Sequence, residues 1–562
     1  MDKQPVLLCS RLFQKRRQAD VTLSRTVLAW TETEKSRKRR TGISSFSGKA
    51  HSQAVQVCEL VTVHKAEEDW TRRRKKKAKQ VAELYPHAFT VSYVRRTQQH
   101  RWRCADVTFR CTSLALCERW IHVINERLSL LSNRPKSLLV YINPYGGKRR
   151  GKHIYEQKVA PLFQHACIST DVIVTEHANH ARDHLKTEAN LDKYDGVVCV
   201  GGDGMFSEIL HGLATRTQTD HGVDQNQQDA ELVPCSLRIG IIPAGSTDCI
   251  CFATVGTNDP VTSALHIIVG DSQPMDVCSV HHDDTFLSYS VSLLGYGFYG
   301  DVQTDSERKR WLGPARYDLS GVKTFLNHNH YEGTISFLPA ENHMGNPRDK
   351  LLCRSGCSVC QRGPPVKEQQ WQLSEKKKTE TDDGSGWSVV RGKFLAINAA
   401  SMSCACPRSP KGLSPSAHLA DGTTDLILVR RCSRLDFLKH LLRHTNKDDQ
   451  FDHSFVEVHR VKKFRFQPWL QEPGSLEDLS EATKKTGFAP ICSGQTPCSY
   501  SKAQSSWTCD GEILCHADIQ VSVRCGLVRL FARGIEEQQP QQCVLDDPGP
   551  LSAPDPGQQH VD

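Results

Sequence analysis

The residues of this 562-residue chain whose types and spacing can do chemistry lie in three glycine-bearing turns. They are Asn143-Pro-Tyr-Gly-Gly147, Gly201-Gly-Asp-Gly204 and Pro243-Ala-Gly-Ser-Thr-Asp248. Paired glycines let backbone amides approach an anion, and a helix beginning just beyond them adds a favourable dipole. One such turn is equally an ordinary strand-to-helix connection; two, one of them with a carboxylate between its glycines, point to a phosphate site. A carboxylate beside polyphosphate is unfavourable unless it accepts a proton, orients a hydroxyl or contacts Mg2+. Asp203 therefore reads as a general base, with Mg2+ and basic side chains countering charge on a transferred phosphoryl group. Asp also caps helices well, and that role does not exclude the first.

Strand-type runs at 138–143, 171–175, 196–201 and 238–243, with helical material after the first three, predict a parallel α/β lobe. Its ligand belongs beyond the strand C-terminal ends, where the glycine turns fall. Phe206, Ile209, Leu210 and Leu213 share one helical face, which puts Met205 and Glu208 near the exposed start of that helix. Beyond Pro274 the pattern turns β-rich, at 286–294, 333–338, 392–398, 425–429, 455–466 and 519–531. A separate sheet across a cleft suits a site that excludes water during phosphoryl transfer; its apolar residues otherwise read as sandwich core. Asp510-Gly511 reads as a hairpin turn.

Ahead of these lobes, residues 6–128 read as short strands, clearest at 55–63, 88–94 and 104–110, followed by one helix at 114–128. Leu116, Trp120, Val123 and Ile124 fall on one face of that helix, which would close an open antiparallel sheet. Two basic clusters interrupt the strands, Lys35, Arg37, Lys38, Arg39, Arg40 and then Arg72, Arg73, Arg74, Lys75, Lys76, Lys77. They fit an anionic membrane surface, a solvated loop or a nuclear-targeting signal. With no aromatic platform or recognition helix among them, nucleic acid is not an expected partner.

Composition narrows the class. Lys+Arg 72 against Asp+Glu 63 gives +9, a modest bias. No run of eighteen apolar residues and no apolar segment near Met1 is present, and Asp2 stands where N-myristoylation needs glycine. A chain soluble or peripheral to a membrane is expected. The 23 cysteines are scattered, often within strand-like runs, which fits a reduced intracellular setting. Cys353, Cys357 and Cys360, followed by Cys404 and Cys406, are close enough that three thiols plus a fourth can hold Zn2+, although the spacing is not that of a common zinc finger and free cysteines remain an alternative. Residues 435–445 read as a basic amphipathic helix with Leu435, Leu438, Leu441 and Leu442 aligned, either buried or able to bind calmodulin.

There is no P-loop string and no dinucleotide fingerprint. Instead, the three turns together resemble the diacylglycerol kinase catalytic domain, shared with sphingosine kinases, over about 135–534. The resemblance implies an α/β nucleotide lobe at 135–275 and a β-rich lipid-substrate lobe at 276–535; separately, the strands and closing helix of 1–128 resemble a pleckstrin-homology domain and the Gln/Pro-rich tail at 536–562 reads as disordered, which together give a multidomain α/β plus β architecture. Trp120 fits the tryptophan of the pleckstrin-homology C-terminal helix. The kinase-domain resemblance further implies ATP contacts from Asn143, Pro144, Tyr145, Gly146, Gly147, Thr175, Glu208, Gly245, Ser246, Arg310, Arg316, Gly511 and Glu512. Gly201, Gly202, Asp203 and Gly204 match the signature turn at the lipid hydroxyl, with Asp203 as base. Met205 departs from the bacterial and diacylglycerol enzymes of the family, which usually have Thr there.

The arginines, as an alternative, are surface ion-pair residues. Gln303 replaces the acidic residue that meets the sphingosine head group, which favours an acylated amine. The Cys353–Cys357–Cys360 spacing is similar to that of the ceramide kinases, which implies ceramide as substrate, Mg2+ with ATP, and Ca2+ acting through calmodulin. It also implies phosphoinositide-bearing membranes as partners of the N-terminal domain, and a cytoplasmic location peripheral to Golgi and plasma membranes. Sphingosine and diacylglycerol are the rival substrates. A lipid-binding scaffold with a spent kinase lobe is the rival class, against which Asp203, Glu208 and Glu512 count.

Overall fold

A computed structural model describes residues 5–14, 17–32, 52–66, 84–313, 315–341, 345–361, 386–446, 448–469 and 504–537. The two basic clusters, most of the polar segment 361–386, all of 471–487 and the tail after Glu537 lie outside the described residues. The chain divides into two units, Met1–Tyr93 with Ala105–Leu130 and Glu537–Asp562, and Val94–Cys104 with Leu131–Glu536. Among the described residues no helix is long and apolar enough to cross a membrane.

The first unit is built on an antiparallel sheet of β1 (Val6–Gln14), β2 (Arg17–Ser24), β3 (Val27–Glu32), β4 (Ser52–Gln56), β5 (Leu60–Lys65), β6 (His87–Arg96) and β7 (Trp102–Cys111), in the order β4-β3-β2-β1-β7-β6-β5. Alternation sets its inner face: Ala19, Val21 and Leu23 of β2 are buried while their neighbours are not. Helix α1 (Leu114–Ser129) supplies Cys117, Trp120 and Ile124 to that core. The Trp120 ring stacks 5.9 Å from Phe89 and its Nε1 donates to Ser10 Oγ at 3.2 Å, so the indole is buried with its polar edge satisfied. The single strand expected at 55–63 is two strands at opposite edges of the sheet. A 3-10 turn, Val57–Glu59, separates them, and Val57 N–H donates to Thr26 O at 2.7 Å. The β-branched run is strand-like throughout, so the break comes from tertiary bonding.

The second unit opens with β8 (Ser137–Ile142), the helix α2 (Gly151–Ile154, continued through Tyr155–Val159 and Ala160–His165), β9 (Ser169–Val174), α3 (His180–Thr187), β10 (Gly196–Gly201), α4 (Asp203–Asp220) and β11 (Arg238–Pro243). The four strands run parallel in the order β11-β10-β8-β9. All six residues of β10 are buried, as in a sheet covered on both faces. Helices α5 (Cys249–Val255) and α6 (Pro260–Val269) follow.

Next come β12 (Ser272–His282), β13 (Thr285–Ser290), β14 (Leu293–Gly297), α7 (Phe298–Glu307), α8 (Ala315–Asn327), β15 (Tyr331–Pro339), β16 (Ser388–Ala400), β17 (Thr424–Arg430), α9 (Arg434–Arg443), β18 (Val456–Pro468), the two-residue strands β19 (Thr508–Cys509) and β20 (Glu512–Ile513), and β21 (Ile519–Phe531). The expected separate second sheet is instead continuous with the first. The N-terminal part of β21 pairs antiparallel with β18, and its residues Arg529 and Leu530 pair parallel with β11. A 13-residue strand spans about 40 Å and can serve β18 and β11 in turn along one edge, while β12 pairs antiparallel along the other.

In α9 the buried side chains are Phe437 and His440, with Leu441 packed beside them, while Leu435, Leu438 and Leu442 are exposed. The four leucines therefore do not share one environment.

Candidate functional site

The three glycine turns meet at the C-terminal ends of β8, β10 and β11. Asn143 Oδ1 accepts the amides of Tyr145 at 2.8 Å and Gly146 at 3.0 Å, fixing the first turn internally. Those two amides thus face Asn143 in this conformation, while Tyr145 and the following Lys148, Arg149 and Arg150 stay exposed and Pro144 is half-buried. Gly147 has φ +56°, and a Cβ there would lie 2.6 Å from the Ala244 carbonyl oxygen, so the first turn sits directly on the third. A Cβ on Gly245 would lie 2.6 Å from Gly202 Cα, so the second and third turns touch backbone to backbone. Gly201 is buried, Gly204 is exposed and Ser246 stands in the open on the third turn. Thr175, at the end of β9, is 4% exposed and its hydroxyl donates to the Ile142 carbonyl at 3.3 Å.

Asp203 is the first residue of α4, yet its carboxylate does not cap that helix. It caps α5 instead: Oδ2 accepts Cys249 N–H and Oδ1 accepts Ile250 N–H, each at 3.0 Å. Burial raises its pKa above the usual carboxylate value, the two amides pull the other way, and the nearby charge of Asp510 adds to the rise. Asp248, unnoticed as a charged group in the sequence, is 8% exposed; its Oδ1 accepts Gly245 N–H at 2.9 Å and burial pushes its pKa up to about 7.

Glu208 lies one turn along α4. Burial raises its pKa, the amides of Asn179 and Ala181 at the start of α3 oppose that rise, and the Glu512 charge reinforces it. Glu208 Oε2 is buried without a partner. Met205, expected near the exposed start of α4, is 3% exposed and belongs to the core around Leu139, Phe206 and Ile209. Its side chain folds back over the turn, within 2.8 Å of where a Gly201 Cβ would stand, and the absence of that Cβ is what admits it.

Across from these groups is the β19–β20 hairpin. Asp510 (φ 48°) and Gly511 (φ 94°) form its two-residue turn, both with positive φ as a tight hairpin requires. Asp510 is also a clamp: its carboxylate accepts the amides of Val291, Ser292 and Leu293 at 2.8, 3.0 and 2.9 Å, and the hydroxyls of Ser290 and Ser292 at 3.0 and 2.7 Å. These bonds end β13 and start β14, which is why the single strand expected at 286–294 is broken. Gln303 on α7 donates from Nε2 to Gly511 O at 2.6 Å. Four residues on, Glu307 pairs with both arginines: Arg310, which is largely exposed, and Arg316, at 3.3 Å, whose guanidinium also lies 4.7 Å over the Tyr317 ring. Glu307, which no sequence pattern marks, is thus the residue that holds the two cations together.

The cysteine string closes elsewhere in this unit. Cys353, Cys357 and Cys360 meet His418, and not Cys404 or Cys406. Cys404 Sγ donates to Ser292 O at 3.3 Å, and Cys406 bridges to Ser409.

Glycine turns joined at the ends of a parallel sheet, with acidic groups gathered beside them and a β-rich half continuing the same sheet, form a site suited to phosphate chemistry. Residues 137–280 match the family model for the diacylglycerol kinase catalytic domain, residues 8–124 that for the ceramide kinase PH domain and residues 292–545 that for the ceramide kinase C-terminal domain. The sequence is 55% identical over 540 residues to ceramide kinase of Homo sapiens, covering 94% of this chain and 97% of the relative. It is 52% identical over 537 residues to ceramide kinase of Mus musculus, covering 94% and 98%. To ceramide kinase of Oryza sativa subsp. japonica it is 32% identical over 586 residues, covering 86% and 91%. The chain belongs to the ceramide kinase family.

Proposed function

We propose that this protein transfers the γ-phosphoryl group of ATP to the primary hydroxyl of ceramide, giving ceramide 1-phosphate. The observation that carries the reading is the convergence of three glycine turns on Asp203, in a chain of this family. Residues 135–275 act as the nucleotide lobe and 276–535 as the lipid lobe. Each Asp203 oxygen accepts one α5 amide, which leaves lone pairs for the hydroxyl proton, and its raised pKa makes it a stronger base than an ordinary carboxylate. Asn143, Pro144, Tyr145, Gly146, Gly147, Thr175, Gly245 and Ser246 border the phosphates and adenosine. Arg310 and Arg316 exchange Glu307 for phosphate oxygens, to which guanidinium binds in bidentate fashion.

The oxygen donors of Glu208 and Glu512 fit Mg2+, a hard ion: Glu208 Oε2 is a buried oxygen lacking a partner and Glu512 is exposed near it. Bound there with ATP, Mg2+ supplies charge neutralisation at the transferred phosphoryl group.

Gln303 supports ceramide over sphingosine as substrate, because a neutral amide suits an acylated amine better than a free ammonium. Its bond to Gly511 adds a second reason for an amide there, since an acid would face Glu307 and a carbonyl oxygen. Trp311, 82% exposed, and the exposed Leu319, Val322 and Leu326 of α8 support docking at a bilayer, with Arg310 beside them. The N-terminal domain and its basic clusters would add phosphoinositide-bearing surfaces, in the cytoplasm at Golgi and plasma membranes. The exposed Leu435, Leu438 and Leu442 on α9 support Ca2+ control through calmodulin.

The test is phosphate incorporation from ATP into ceramide, sphingosine and diacylglycerol presented in detergent micelles. Ceramide should be strongly preferred; preference for the free amine would overturn the Gln303 argument and the substrate with it.

A further inference from the structure

We propose that Cys353, Cys357, Cys360 and His418 form a structural Cys3His zinc site. The four ligating atoms all lie within 4.8 Å of one another. Cys353 Sγ and Cys360 Sγ are 3.6 Å apart, and Cys357 Sγ is 3.3 Å from His418 Nδ1. A tetrahedral zinc with ordinary Zn–S and Zn–N bonds holds its ligand atoms about 3.5–3.8 Å apart, so the donors are already spaced for the ion. Thiolates and imidazole select a borderline-soft metal over Mg2+ or Ca2+. Four protein ligands also leave no open position, which marks the site as structural.

The fold prepares the donors separately. Cys353 and Cys357 flank a turn in which Cys357 N–H donates to Arg354 O at 3.1 Å and Gly356 takes φ +69°, and the short helix Ser358–Gln361 returns Cys360 to its neighbours. His418 comes from the stretch leading into β17, nearly sixty residues away in sequence. It is 2% exposed, and Cys360 is 6% exposed. With Nδ1 on the metal, the ring carries its proton on Nε2, and zinc-bound histidines give that proton to a carboxylate or carbonyl. His418 Nε2 and Asp421 Oδ2, three residues apart in sequence, are both buried polar atoms without partners. With Nε2 bonded to no other group, Nδ1, 3.3 Å from Cys357 Sγ, is the ring nitrogen directed at the thiols. Binding displaces the three thiol protons, leaving Zn2+ with three thiolates and a neutral imidazole, a net charge of −1.

The site would staple the cysteine loop to the approach of β17. Gly422, four residues after His418, donates its N–H to Asp276 Oδ2 at 2.6 Å, and Asp276 Oδ1 accepts the N–H of Gly526, on β21, at 2.7 Å. Ser355 N–H donates to Ile535 O at 2.9 Å, tying the same loop to the chain beyond β21. None of these contacts involves Asp203, Glu208 or Glu512, so the zinc assignment stands or falls apart from the catalytic one.

The experiment is metal analysis of the full chain purified without chelators, with Co2+ replacement as a spectroscopic probe. About one zinc per chain is expected, with the visible bands of a tetrahedral thiolate site after Co2+ exchange. Cys353→Ser, Cys360→Ser and His418→Ala should each bring zinc below about a tenth of that occupancy. His418→Cys, which keeps four donors, should retain the metal, and Cys406→Ser should match the parent. Absence of zinc and of cobalt bands in the parent protein, unchanged zinc in His418→Ala, or a Cys353–Cys360 disulfide found by mass spectrometry would each overturn the proposal. Because the parent protein alone decides the first and third of these outcomes, a variant that fails to fold does not remove the test.

Discussion

At Asp203 one carboxylate stands between two tasks, capping α5 and receiving a proton. Asp203→Asn turns an amide donor toward one of the two α5 amides, so it should cost about 1–3 kcal/mol of stability yet still give a folded chain. Turnover should fall about 100-fold or more, as for loss of a general base. Kinetics beside a thermal melt separate the two effects, and unchanged turnover would reject the assigned role. Asp248 gives a pH signature. Its pKa is raised from 3.8 to about 7, so across that interval the native state holds a proton that the unfolded chain has released. Stability from this group therefore falls as pH rises from 3.8 to about 7. Asp248→Asn, which can keep the bond from Gly245 N–H, should flatten that fall and stabilise the protein at pH above about 7, with little change at pH near 4. Urea midpoints across the range check it, and an unaltered slope would refute it. The sequence marks Asp203 because glycines frame it. It does not mark Asp248 or Glu307, whose importance lies in burial and in partners that no local pattern reveals.

Among the elements, the β19–β20 hairpin is tied to the β13–β14 connection through one carboxylate, that of Asp510. Asp510→Ala leaves the amides of Val291, Ser292 and Leu293 without their acceptor, and Val291 is only 1% exposed, so a loss above about 3 kcal/mol is expected. Asp510→Asn keeps the Oδ1 bonds and should cost less. Denaturant unfolding of the pair measures the difference; equal stabilities would refute the clamp. The parallel strands of the first lobe were legible because each is a short apolar run followed by a turn. The breaks inside 55–63 and 286–294 were not, since each depends on one distant hydrogen-bonding group and leaves no local mark. The α9 leucines mislead similarly, because Phe437 and His440 take the inward positions.

At the scale of the whole molecule, recruitment and chemistry are assigned to different regions of sequence. Replacing Arg72, Arg73 and Arg74 with neutral residues should weaken binding to anionic liposomes while sparing activity in micelles, each charge near the surface being worth about 1 kcal/mol. Sedimentation with vesicles and micellar turnover test this together, and equal vesicle binding would count against a lipid contact. Composition and the two periodicities carried the architecture, but the joining of the two sheets did not follow from them, because β21 reads as one more strand of the second half. That strand also governs when the enzyme can exist. On the ribosome, β11 waits for its neighbour through almost three hundred further residues, and a nascent chain halted before Ile519 leaves β11, β12 and β18 each with a bare edge open to mispairing. Catalytic competence should then arise only after β21 emerges, leaving the long interval of translation before it as the period of greatest exposure to aggregation.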